Sequence, residues 1–186
     1  MMKYIRLTTL LLVVAFTAGA LTSPHSASAA SAAEIDRDAQ KALGDLYAKS
    51  PSAKTMADKA IGILVFPGIV KGGFIVGGQY GEGALIKDGK TVAYYNTVAA
   101  SYGLQIGLQK FGYALFFMND SALKWIDKSD GWEIGVGPSI VVVDVGAAAS
   151  MTSTTLQSDI YAFFFDQKGL MAGIGLQGTK ITRLEK

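Results

Sequence analysis

The sequence predicts an α+β domain: N-terminal helices followed by a mainly antiparallel, curved or barrel-like β-sheet with one short inserted helix. Three observations predict it. Apolar residues recur at helical period only between about residues 31 and 60. From Ile61 onward the chain is rich in glycine, β-branched and aromatic residues, broken by turns at intervals that suit ordinary strands. Segments such as Ala114–Met118 and Tyr161–Phe165 are apolar on both faces, so a second layer must cover the sheet.

In chain order, Lys3 and Arg6 precede an uncharged, mostly apolar run from Leu7 to Leu21, followed by small residues with an Ala27-x-Ala29 processing site. The run is shorter than the about 20 residues a membrane span needs. Residues 1–29 are therefore expected to be a cleaved secretion signal, and residues 30–186 a single domain, exported to the periplasm or secreted.

Ser31-Ala-Ala-Glu34 has capping-box spacing and opens a first helix on Ile35, Ala39, Ala42, Leu43, Leu46 and Tyr47, ending near Lys49. Ser50-Pro51 reads as a new cap, with proline at the first position of a helix running to about Ala60. Strands are then expected at 61–66, stopped by Pro67-Gly68, and at 73–80, 83–87, 91–95, 104–109 and 113–118. Lys87-Asp88-Gly89-Lys90 is a tight hairpin turn, because Asp-Gly accepts the positive φ angles of type I′. A short helix runs from a cap at Asn119 or Asp120 through Trp125 to Lys128. Strands follow at 132–136, 140–145, 160–165 and 170–176, the last two joined as a hairpin by a turn at Asp166–Gly169.

Composition narrows the chemistry. Loss of Lys3 and Arg6 with the signal leaves 15 basic residues against 15 acidic ones, a balance that speaks against a nucleic-acid partner. There is no cysteine, and the one histidine, His25, lies in the expected signal. Histidine- and cysteine-dependent catalysis and the usual zinc, copper and haem ligation lack their donors, so a non-enzymatic protein without cofactor is expected.

Several motifs invite a sharper reading. Gly173-Ile-Gly175-Leu-Gln-Gly178 matches the dinucleotide fingerprint in letters, but only eight residues follow it, too few for the helix and distant acid that it requires. Gly89-Lys90-Thr91 lacks the earlier phosphate-loop glycine, since position 84 is alanine. Asp127, Asp130 and Glu133 lie among Lys124 and Lys128 in what reads as a solvated loop, and Trp125 and Trp132 flank it. The glycines clustered at 72–83, at 103 and 107, and at 173–178 suggest bulges or close backbone approach.

At Ala60-Ile-Gly-Ile-Leu-Val-Phe-Pro67, Lys71-Gly-Gly-Phe74-Ile-Val-Gly-Gly78 and Tyr80-Gly-Glu-Gly83 the chain resembles the SYLF-domain family. Gly103-Leu-Gln-Ile-Gly107, Phe117-Met-Asn119 and Lys168-Gly169-Leu-Met-Ala-Gly173 continue the likeness in the same order to about Ile181. The resemblance implies a lipid-binding module that prefers phosphoinositides and other anionic lipids, with actin a partner of some eukaryotic relatives only. For an exported chain it implies binding to an anionic phospholipid of the envelope, peripheral on a membrane. The alternative is a protein-interaction or structural module of the envelope with incidental lipid affinity. Lys71, Gly72, Gly73 and Phe74, in the family's Lys-x-Gly-Phe segment, are the lipid-binding candidates, with Lys54 and Lys59 beside them.

Overall fold

The computed structural model describes residues 30–73, 76–102, 107–128, 131–143, 157–168, 176 and 178–186. The expected signal, residues 1–29, lies outside the described residues, as do Phe74, Asp130 and most of the expected strand 170–176. The helices are α1 (Ala32–Lys49), α2 (Pro51–Ala57) and α3 (Asp120–Leu123). The strands are β1 (Gly62–Gly73), β2 (Val76–Lys87), β3 (Lys90–Tyr102), β4 (Gly107–Phe117), β5 (Trp132–Glu133), β6 (Ile140–Val143), β7 (Ile160–Lys168) and β8 (Lys180–Leu184). The strands form one curled, half-barrel sheet in the order β5-β8-β3-β2-β1-β4-β7-β6, antiparallel except for the β6–β7 pair. The α+β expectation holds.

Local chemistry explains where the elements start and stop. The Ser31 hydroxyl accepts from the Glu34 backbone N–H, and the Glu34 carboxylate accepts from the Ser31 backbone N–H at 2.8 Å, closing the capping box. Ser50 caps α2 through the Ala53 N–H. That helix ends at Ala57, short of the expected Ala60; beyond it Lys59 donates three residues back to Met56, and the Ala60 N–H is shared between Met56 and Ala57. Asn119 caps α3, which is a single turn. Asp88 and Gly89 both take positive φ, 49° and 75°, as the hairpin between β2 and β3 requires.

The strands outrun their sequence signals. Pro67-Gly68 does not stop β1. The register shifts there against both β2 and β4, so proline, which lacks an N–H, sits at a bulge and the strand continues to Gly73. Where two strands each were expected in 73–87 and 104–118, single long strands β2 and β4 run. Asp166 has φ 52°, yet β7 passes through it to Lys168, where a hairpin turn was expected. The closing strand β8 was not expected; it pairs with β3 and β5.

Two apolar layers flank the sheet. The inner, concave face holds Leu64, Phe66, Ile69, Leu85, Tyr95, Phe111, Tyr113 and Leu115, closed by Ile126, Trp132 and Ile181. On the outer face, Ile63, Val65, Ala84, Ile86, Ala114, Phe116 and Phe163 pack against Ile35, Leu43 and Leu46 of α1 and Met56 of α2. This double cover accounts for the strands that lack alternation. Close packing also fixes some glycines: a Cβ on Gly83 would fall on the Val65 carbonyl oxygen beside the bulge.

Candidate functional site

The helices cover only one end of the outer face. Long strands β1 to β4 continue past the Pro67 bulge, and strand alternation keeps sending apolar side chains outward there. Val70 pairs with Tyr80, Tyr80 with Val98, Val70 with Lys110, and Val98 with Lys180. Directly opposed residues of neighbouring strands share a face. One row therefore crosses five strands as Lys180, Val98, Tyr80, Val70, Lys110.

The three central side chains are 44%, 49% and 47% exposed. Among the described residues, neither lysine has a carboxylate within ion-pair distance, although Glu133 is the register partner of Lys180. The next outward row is Leu108, Gly72, Gly78, Ala100. Leu108 is 74% exposed, and a Cβ on Gly78 would meet nothing closer than 3.7 Å. The result is an exposed apolar end flanked by two ammonium groups that have no ion-pair partner among the described residues. Tyr80 donates its hydroxyl to Glu82 at 2.7 Å, and burial, then that hydrogen bond, push its pKa up to about 12.

Between this row and α1 runs a groove of about 650 Å³. Ile35 and Ala42 form its helical wall, Pro67 and Gly68 its floor, and Val70, Tyr80 and Lys110 its rim. Four carboxylates line it, each closed by its own cation: Asp38 by Arg37, Asp45 by Lys41, Asp166 by Lys49 and Glu82 by Lys186, at 2.5–3.0 Å. The last pair is largely withdrawn from water, with side chains 13% and 8% exposed, and Lys186 also donates to the Ala30 carbonyl.

The structure does not bring the sequence candidates together. Lys54 and Lys59 lie on or just after α2, beside the start of β1, and Lys54 lines a separate groove with Tyr47 and Lys87. Lys71 is near the far end of β1, roughly 30 Å away at the rise of an extended strand. By alternation from buried Ile69, Lys71 faces inward, half-buried, opposite Gln79 and Gln109. Gly72 belongs to the outer apolar row, Gly73 ends β1, and Phe74 is outside the described residues.

The residues that sequence reasoning missed are Val70, Tyr80, Val98, Lys110 and Lys180. Alternation around Lys71 holds a signal that neighbouring Val70 faces the other way, but register across five strands is not written in any local pattern.

Other motifs resolve into structure. Gly178 is followed by β8, a strand where a dinucleotide fingerprint needs a helix. Trp132 is buried in the inner layer, with its indole N–H donated to Val136, and Trp125 lies under Lys128, whose Nζ is 3.1 Å from the ring centroid. Asp127 accepts from Tyr95 at 2.6 Å and from Arg183 at 3.1 Å, tying β3, β8 and the loop after α3. That carboxylate and burial together hold the Tyr95 phenol far above its ordinary pKa, burial being the larger cause.

Residues 98–186 match the family model Ysc84, described as Las17-binding protein actin regulator. No curated protein matches the chain.

Proposed function

We infer from the match over residues 98–186 that the chain is a member of the SYLF-domain family, a family with lipid and actin-regulator roles, and from that premise we propose that it binds anionic phospholipid at a membrane surface. Binding is non-enzymatic, and the protein acts after export, on a membrane of the envelope.

The row Lys180–Val98–Tyr80–Val70–Lys110 is the observation that carries this reading. An ammonium group is a strongly hydrated point charge that pairs with lipid phosphate, and each one near an anionic surface contributes about 1 kcal/mol. Valine, leucine and tyrosine between the lysines supply shallow apolar contact at the head-group level, where an amphipathic phenol is at home. Near-zero net charge over residues 30–186 makes the local arrangement of lysines, not overall charge, the source of attraction.

Co-sedimentation of the purified protein with zwitterionic and anionic liposomes at low and moderate salt tests the reading. Pelleting with anionic liposomes only, weakened by salt and by Lys110→Glu/Lys180→Glu but not by Lys71→Glu, is the expected result. A protein that stays in the supernatant with every liposome and salt defeats it. A stable protein complex recovered without lipid would then favour the interaction-module alternative, which the family's described protein binding also supports.

A further inference from the structure

We infer that the groove beneath α1 is a seat for a single phospholipid molecule, with an acyl chain along the groove and the phosphate on Lys110. The inference rests on the surface reading for its ligand class, and adds that a lipid leaves the bilayer plane to enter the protein.

Size and lining fit one amphiphile. The groove's volume of about 650 Å³ lies within the roughly 300–1,000 Å³ of small-molecule sites. Ile35, Ala42, Pro67 and Val70 give it an apolar lining, and Gly68 adds no side chain of its own to the floor. A Cβ at Gly68 would have the Lys110 Cε at 3.5 Å, so the lysine's aliphatic stem lies over the floor.

Charge gives the orientation. The four lining carboxylates are already neutralised by their own cations, so they neither repel a phosphate strongly nor offer a seat to a cationic head group. Among the described residues that line the groove, Lys110 is the cation without a carboxylate partner. It is also the rim residue shared with the exposed row, as are Val70 and Tyr80. An acyl chain passing from a bilayer docked on that row into the groove need not cross water, which would cost about 0.8 kcal/mol per exposed methylene.

The probe is dihexanoyl phosphatidic acid held below its aggregation concentration and titrated calorimetrically into the purified protein. The separating variant is Gly68→Leu, which puts a side chain on the groove floor, at a glycine whose backbone does not need positive φ and whose Cβ has room. Saturable binding of the monomeric lipid, at least tenfold weaker in Gly68→Leu while that variant still pellets with anionic liposomes, is the expected result. Inorganic phosphate at the same concentration should not compete, because it lacks the chain. Liposome binding without monomer binding overturns the groove and leaves the surface reading standing. Monomer binding unchanged in Gly68→Leu also overturns it, by placing the lipid elsewhere. Monomer binding sensitive to Gly68→Leu without liposome binding keeps the groove and removes the surface reading. A melting temperature matching wild type confirms that Gly68→Leu reports on the groove and not on folding. Should that variant melt early, Asp38→Trp replaces it, at an exposed groove-lining position of α1 outside the exposed row, with the same tenfold loss expected and unchanged affinity counting against the groove.

Discussion

The two ends of strand β4 present similar side chains outward to opposite fates. Phe116, near its C-terminal end, is fully buried beneath the helical layer, and Leu108, near its start, is 74% exposed. β1 and β2 repeat the contrast, with Val65 and Ala84 covered where Val70 and Tyr80 are bare. Strand geometry is the same at both ends; the difference is that α1 and α2 reach only one of them. An apolar residue on a sheet thus acquires its role from what lies over it: stability at the covered end, an adhesive surface at the bare one.

Substitution on one strand gives the sharpest break. Phe116→Ala should cost about 3–5 kcal/mol in urea unfolding, whereas Leu108→Ala should stay within about 0.5 kcal/mol. Equal losses at the two positions would mean that the bare end is covered in solution. Lys186→Ala comes next. It strips the largely buried Glu82 of its cation and releases the chain's last residue from Ala30, so a loss of about 1–3 kcal/mol is expected in the same assay.

At the bare end, Lys110→Gln/Lys180→Gln should leave the urea midpoint unchanged and lower partitioning onto anionic liposomes by about 30-fold, the equivalent of about 1 kcal/mol for each lysine. Raising salt should erase the difference between this variant and wild type.

The smallest effect concerns acid. Asp159 accepts from the Ser139 backbone N–H, the Asn119 amide and the Ser139 hydroxyl, contacts that hold its pKa below the ordinary 3.8. A depressed folded-state pKa contributes stability that is present above pH 3.8 and lost as pH falls through the lower folded value. Because the carboxylate is near the surface, the contribution is small. Asp159→Asn should lower stability slightly and evenly above about pH 5 and converge on wild type as pH falls below 3.8, so that its acid limb is shallower.

The element types were largely legible because their signals are local. A serine with glutamate three residues on, a serine before proline, and Asp-Gly between apolar runs each satisfy or strain the backbone within a few residues. Strand lengths were misread where a local breaker was overruled. Pro67 stops an isolated strand, but β1 is held between β2 and β4, whose hydrogen bonds resume on either side of the bulge. β8 was missed because Lys180-Ile-Thr-Arg-Leu184 has one buried apolar position, and its pairing with β3 supplies most of its reason to be extended. Side-chain direction at the candidate site was less legible. Lys71 drew notice for its glycine neighbours, but alternation turns it inward, while the outward lysines come from β4 and β8.

By itself the sequence determined that helices come first and a glycine-rich sheet follows, that the sheet must be covered on both faces, and that neither thiol nor imidazole serves residues 30–186. Those conclusions depend on period, caps and composition, properties that a short window or a simple count contains. Only the tertiary structure decided how far the helices reach across the outer face, and which residues form the row left bare. Residues 70, 80, 98, 110 and 180 become neighbours through strand register, and register is set by the sum of side-chain and hydrogen-bond fits along whole strands.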